Sequence, residues 1–157
     1  MDAPGKDMSQ RAEVERLALL LDPDLFFAVK VSATLKHLGF DTITTRQLAD
    51  WTRRAQGERF DIALVNTAAR NVDWVAAIGV ARQAGLPIIA YGAHVDSEAQ
   101  AQARAAGATR VIANSKLAAD LPAIVEQTLT RVKRASEPAT EPTRSGAADS
   151  SVDDADV

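Results

Sequence analysis

The sequence predicts an α/β domain in which a five-stranded parallel sheet carries helices on both faces. Three observations predict it. Short runs of Leu, Ile, Val and Ala recur along the chain without polar alternation, as strands buried on both faces require. Segments of helical length separate those runs, and single glycines stand where the helical segments stop, which is where a left-handed C-terminal cap belongs. Strands that alternate with helices build a parallel sheet covered on both sides.

The elements follow in order. Residues 17–21, Leu-Ala-Leu-Leu-Leu, read as the first strand, and residues 24–38 as a helix ending before Gly39. Residues 42–45, Thr-Ile-Thr-Thr, are a weaker run that suits an outer strand. Residues 46–56 form the second helical segment, closed near Gly57, and residues 62–65 the third strand. Residues 72–84 are the third helical segment, stopped by Gly85 with Pro87 beyond it, before a fourth strand at 87–91. Residues 96–106 stop at Gly107, residues 110–113 are the fifth strand, and residues 117–134 are the last helix, with Pro122 in its first turns. The folded unit is therefore expected over 15–134, after a flexible N-terminus at 1–14. Residues 135–157 are rich in Pro, Ser, Ala and acid, with Val152 and Val157 as their only large aliphatics. Such a segment buries too little apolar surface to offset its ordering entropy and is expected to be disordered.

Composition excludes several classes. There is no cysteine, so no disulfide scaffold, thiol nucleophile or thiolate metal site. The two histidines, His37 and His94, form no recognisable zinc motif. No apolar run approaches the roughly 18 residues of a membrane span, and the polar N-terminus carries no signal-peptide core, so a cytoplasmic location is expected. The net charge of −3 is uneven: from Ala135 onward there are six acids (Glu137, Glu141, Asp149, Asp153, Asp154, Asp156) against Arg144 alone, which leaves the preceding domain mildly basic. That is no nucleic-acid footprint. Arg46, Arg53, Arg54, Arg59 and Arg70 could gather near the second helix, but scattered arginines on amphipathic helices are usually solvated. The 23 residues after the last helix are too few for a helix-turn-helix domain, and no nucleic-acid partner is expected. Neither a phosphate-binding G-x-x-x-x-G-K-[ST] loop, a G-x-G-x-x-G fingerprint nor a G-x-S-x-G elbow occurs. Cobalamin-binding domains share this architecture, but their D-x-H-x-x-G loop is not matched by Asp22-Pro-Asp-Leu-Phe-Phe.

In a doubly wound sheet the working crevice lies at the carboxyl ends of the strands. Those positions hold Asp22-Pro23-Asp24, Asn66-Thr67, Gly92-Ala93-His94 and Asn114-Ser115-Lys116. Over residues 17–130 this spacing resembles the receiver domain of two-component response regulators. Leu19-Leu-Leu-Asp-Pro-Asp-Leu25 is similar to that family's acidic turn after the first strand. Phe60-Asp-Ile-Ala-Leu-Val-Asn-Thr67 resembles the strand that ends in the phospho-accepting Asp. Leu86-Pro-Ile-Ile-Ala-Tyr-Gly-Ala-His94 resembles the fourth strand and its hydroxyl-bearing end, and Ala105-Ala-Gly-Ala-Thr-Arg-Val-Ile-Ala-Asn-Ser115 the region that leads to the family's Lys-Pro turn. The resemblance implies a flavodoxin-like fold and a role in signal transduction.

The departures lie in the chemistry. Asn66 stands at the phosphoacceptor position, and a neutral amide neither accepts a phosphoryl group effectively nor supplies the charge that holds Mg²⁺. Asp22 keeps its place in the acidic pocket, but Pro23 follows it and Asp24 is displaced by one. Gly92 stands at the switch-hydroxyl position and Asn114 at the Lys position, with Lys116 two residues late. These substitutions describe a degenerate pseudo-receiver without enzymatic activity. Several states of the crevice stay open at this point. Asn66 can donate a hydrogen bond to Asp22 and fill the site. Asp22, Asp24 and the Asn66 carbonyl can hold a divalent cation weakly. Lys116 can swing in to neutralise the acids, and Thr67, His94 or Tyr91 can touch a ligand or serve as loop and core residues. No firmly held cofactor or metal is expected.

Two other functions compete. Asp22-Pro23-Asp24 after a strand also fits a DxD phosphatase of the haloacid-dehalogenase type, but Leu25-Phe26-Phe27 departs from that motif and no later acidic pair follows a buried strand. A receiver that still responds to phosphorylation or to a ligand is the other alternative. The favoured expectation is a module that signals by binding protein partners independently of phosphorylation. The first helix, apolar around much of its circumference, would leave Phe26 or Val29 exposed as a binding patch unless other helices cover them. A homodimer through the fourth helix, fifth strand and fifth helix is a further expectation.

Overall fold

The computed structural model describes residues 16–93 and 96–136. The expected flexible N-terminus and most of the expected acidic tail lie outside the described residues, as does His94. Five parallel strands are β1 (Arg16–Leu21), β2 (Phe40–Thr45), β3 (Ile62–Asn66), β4 (Ile88–Gly92) and β5 (Arg110–Ala113). Five helices follow them in turn: α1 (Leu25–His37), α2 (Leu48–Gly57), α3 (Trp74–Gln83), α4 (Ser97–Ala106) and α5 (Asn114–Ser136). The sheet order is β2-β1-β3-β4-β5, so the strand order reverses between β1 and β3 and the crevice opens there.

Because a strand turns successive side chains to opposite faces, the apolar runs divide between two cores. Ala18, Leu20, Ile62, Leu64, Ile89 and Tyr91 face α1 and α5, where Val31, Leu35, Leu117 and Val125 meet them. Leu19, Leu21, Ala63, Val65, Ile88 and Ala90 face the other way, against Trp51 of α2, Ile78 of α3 and Ala103 of α4. Trp51 is fully buried, and its indole N–H donates to the Ala77 carbonyl 2.9 Å away, which ties α2 to α3.

The boundaries shift in informative places. The outer strand begins at Phe40, two residues earlier than expected, because its whole length pairs with β1 from Arg16 onward. Arg46 precedes α2, and Asp24 and Asp96 are caps whose carboxylates accept the first free helical N–H groups. Gly107 takes φ 120°, and a Cβ there would meet the Arg82 side chain at 2.4 Å, so both backbone and packing call for glycine. The last helix starts at Asn114, immediately after β5, and breaks step at Asp120 (φ −125°, ψ 24°). Pro122 lies just beyond that break, where its missing N–H costs no intrahelical bond. Asn114 and Ser115, expected in a loop, are therefore helical.

Candidate functional site

The crevice follows from strand parity. Asp22 continues the face set by Ala18 and Leu20, Asn66 continues that of Ile62 and Leu64, and Tyr91 shares a face with Ile89. All three point to the α1/α5 side. Leu21 pairs with Val65, and Asn66 with Tyr91. Neighbouring strands lie about 4.8 Å apart, so register alone brings the three side chains together at the carboxyl edge.

They form one closed network. Asp22 is fully buried. Its Oδ1 accepts a hydrogen bond from Asn66 Nδ2 at 3.0 Å and from the Asp24 backbone N–H at 2.8 Å. Its Oδ2 accepts from the Tyr91 hydroxyl at 2.6 Å. The remaining acceptor of Asn66, Oδ1, takes the Ala68 N–H at 2.8 Å, which fixes the turn after β3. The Tyr91 ring also meets Phe27 of α1, with centroids 5.5 Å apart. Burial first, and then the negative charge of Asp22, push the Tyr91 phenol well above its ordinary value. Tyr91 therefore stays a proton donor throughout the ordinary pH range.

The other expected site residues separate from this cluster. Asp24 is exposed at the N-terminus of α1, where its Oδ1 accepts the N–H groups of Phe26 and Phe27 at 3.1 and 3.2 Å. Its carboxylate caps a helix instead of completing an acidic pair. Lys116 pairs with Asp120 one turn on, at 3.2 Å, with both side chains well exposed. In this arrangement it pairs with Asp120 and with neither Asp22 nor Asp24: starting α5 at Asn114 places Lys116 on a helix beside its own i+4 acid. Asn114 Oδ1 is buried without a hydrogen-bond partner.

Gly92 and Thr67 prove to be linked. A Cβ on Gly92 would fall 2.2 Å from Thr67 Oγ1, so the hydroxyl of β3's neighbour occupies the space that a side chain on β4 would need. Thr67 Oγ1 donates to the Tyr91 carbonyl at 3.2 Å, and its backbone N–H donates to the same oxygen at 2.8 Å. Tyr91 carries a polar role that the sequence reading did not give it. Its signal is alternation: once β3 and β4 are in register, residues 66 and 91 must be neighbours on one face.

A divalent cation of the magnesium type prefers several anionic oxygens in octahedral array. Here both Asp22 oxygens face protein donors, Asp24 caps a helix, and Asn66 turns its N–H₂ toward Asp22. Among the described residues no group of three or more His, Asp or Glu side chains is placed to hold a metal.

Outside the crevice, two of the five arginines considered for a basic patch are neutralised locally. Arg53 and Arg54 pair with Asp50 on α2, and Arg54 also reaches Glu58 at 3.1 Å. Arg46 and Arg70 line an open cleft that also contains the Asp24 carboxylate. The exposed face of α1 is different in character. Leu25, Phe26 and Val29 are 53%, 89% and 67% exposed, and beside them a groove of about 390 Å³ runs along Ala28, Ser32, Ala33 and Thr44. No helix among the described residues is long and apolar enough to cross a membrane.

The chain matches no protein-family model and no curated relative. Its fold matches solved receiver domains. One is a response regulator receiver domain protein (CheY-like) from Methanospirillum hungatei, with TM-score 0.69 and 16% identity over 76% of this chain and 98% of that one. Another is the signal receiver domain of a modulated diguanylate cyclase from Desulfovibrio desulfuricans, with TM-score 0.66 and 24% identity over 76% and 97%. A third is the receiver domain of the Francisella response regulator 1452, with TM-score 0.63 and 15% identity over 74% and 98%. At these identities the likeness establishes the fold: a five-stranded, flavodoxin-like receiver architecture.

Proposed function

We propose that this chain is a receiver-like signalling module that acts by binding protein and does so without phosphorylation. The observation that carries the reading is the buried carboxylate of Asp22, both of whose oxygens are hydrogen-bonded within the protein. Three protein donors, from Asn66, Asp24 and Tyr91, already occupy it. A phosphoryl switch needs a carboxylate nucleophile and a cation to neutralise the transferring group. Asn66 offers no nucleophile, and both oxygens of Asp22 are already engaged by protein donors. The crevice then has a single arrangement, with no ligand to bias it toward a second.

The binding role rests on the contrast between that sealed crevice and α1, which presents Leu25, Phe26 and Val29 to solvent. Large apolar side chains clustered on one exposed helix face mark an interaction surface. A phosphatase on Asp22 is disfavoured by the same geometry: a nucleophile needs an open approach, whereas Asp22 is fully buried and hydrogen-bonded on both oxygens.

The test is incubation with a small phosphodonor and Mg²⁺, read by intact-protein mass. The expected result is no phosphoryl adduct on the wild-type chain, and none stably formed on Asn66→Asp, where Tyr91 and the absence of a lysine at Asn114 persist. Rapid, stoichiometric labelling of the wild-type chain would overturn the reading.

A further inference from the structure

Large and small side chains are segregated along the exposed face of α1. Seen down the helix, Leu25 and Ser32 lie along one flank, Phe26 and Ala33 along the other, and Val29 between them. The N-terminal half of the stripe is bulky and the C-terminal half small. Two copies of such a helix, packed antiparallel about a twofold axis, place each large residue opposite a small one. With Val29 on the axis, Leu25 of one copy falls against Ser32 of the other, and Phe26 against Ala33. The groove beside Ala28, Ser32 and Thr44 receives the Leu25 flank.

Charge agrees with shape. Asp24 is exposed at the N-terminal end of α1 and Lys36 at the C-terminal end. Antiparallel packing brings the Asp24 carboxylate of one copy to the Lys36 ammonium of the other at both ends of the contact, and it opposes the two helix dipoles. A twofold interface must be self-complementary in this way. Among the described residues, all the exposed large hydrophobics lie on α1 or at Val75 of α3.

We infer that the partner of the α1 face is a second copy of this chain, in an isologous antiparallel α1–α1 dimer centred on Val29. This deepens the proposed function by naming the partner, and it rests on that reading's assignment of α1 as the binding surface. A contact built mainly from one helix per copy is small, and interfaces below about 1,200 Å² are generally weak and transient. The dimer is accordingly expected to dissociate in the micromolar range.

Sedimentation of the full chain over the micromolar to millimolar range tests it. The expected result is a mass that rises with concentration toward twice the monomer. Val29→Asp should weaken association by roughly tenfold or more, since it places two like charges on the twofold axis. Lys36→Glu should weaken it less, and in a salt-dependent way. Because the chain has no cysteine, Val29→Cys adds a lone thiol that should cross-link two copies on oxidation, while Arg53→Cys on α2 should not. Val29 is largely exposed, so both variants at this position are expected to fold, which circular dichroism checks. A wild-type chain that stays monomeric at every concentration overturns the inference. So does self-association that Val29→Asp leaves unchanged. The two readings fail separately: phosphoryl labelling ends the proposed function whatever the mass, and a persistent monomer ends this inference whatever the labelling.

Discussion

The carboxyl edge of the sheet and the outer face of α1 have exchanged the characters usual for a crevice and a helix. The crevice, where a fold of this kind places its chemistry, is buried and polar, with three protein donors on the two oxygens of Asp22. The helix face, where charged residues would ordinarily meet water, is open and apolar. The difference teaches where to look for function. A buried, satisfied network fixes one arrangement, whereas an exposed apolar stripe has free energy to gain by being covered.

Substitutions sharpen the contrast. The largest effect is expected from Asp22→Ala, which leaves the Asn66 amide, the Asp24 N–H and the Tyr91 hydroxyl facing no acceptor. A loss of about 3–5 kcal/mol in urea unfolding is expected, because buried donors left unpaired forfeit their solvation. A loss below about 1 kcal/mol would mean that the network is not closed. Tyr91→Phe removes one donor and keeps the ring against Phe27, and it should cost about 1–2 kcal/mol.

The same variant has a pH signature. The folded-state value of Tyr91 is raised above its unfolded one, so the native chain holds a proton that the unfolded chain releases at high pH. That stabilisation is complete below about pH 10, the ordinary tyrosine value, and is lost as pH rises toward the folded value. Unfolding free energy should therefore fall more steeply above about pH 10 in the wild-type chain than in Tyr91→Phe.

Gly92→Ala is expected to cost about 1 kcal/mol, since Thr67 must rotate away from the new methyl group and give up its bond to the Tyr91 carbonyl. In the double variant with Thr67→Ala the two costs should not add, and simple additivity would show that the two positions do not share this space. Val29→Asp sits at the far end of the scale. It should change the stability of the monomer by less than about 0.5 kcal/mol, as surface substitutions do. A large loss there would show that α1 is covered in the monomer.

The fold was legible because its signals are local. The apolar runs and the glycines at 39, 85 and 107 placed all five strands and all five helices, and Thr42–Thr45 was already marked as an outer strand. Phe26 and Val29 could be marked for exposure because α1 has more apolar circumference than one packing face can cover. The crevice was less legible, because it depends on register. Nothing near residue 91 says that its hydroxyl reaches residue 22, since that contact needs β1, β3 and β4 aligned side by side. The link between Gly92 and Thr67 is hidden for the same reason. The surroundings of Lys116 were less legible because α5 starts at Asn114, directly after β5. Asn114 follows β5 without a loop, and the true proline signal, Pro122, marks a second start within the same helix.

An amide NMR titration of the wild-type chain, with Mg²⁺ and then with Mg²⁺ plus beryllofluoride, tests the central claim most directly. If the Asp22 network is closed, the resonances of Asp22, Asp24, Asn66 and Tyr91 should stay in place through both additions. Saturable shifts centred on those residues would show that the crevice still admits a cation or a phosphoryl-like group, and would contradict the account.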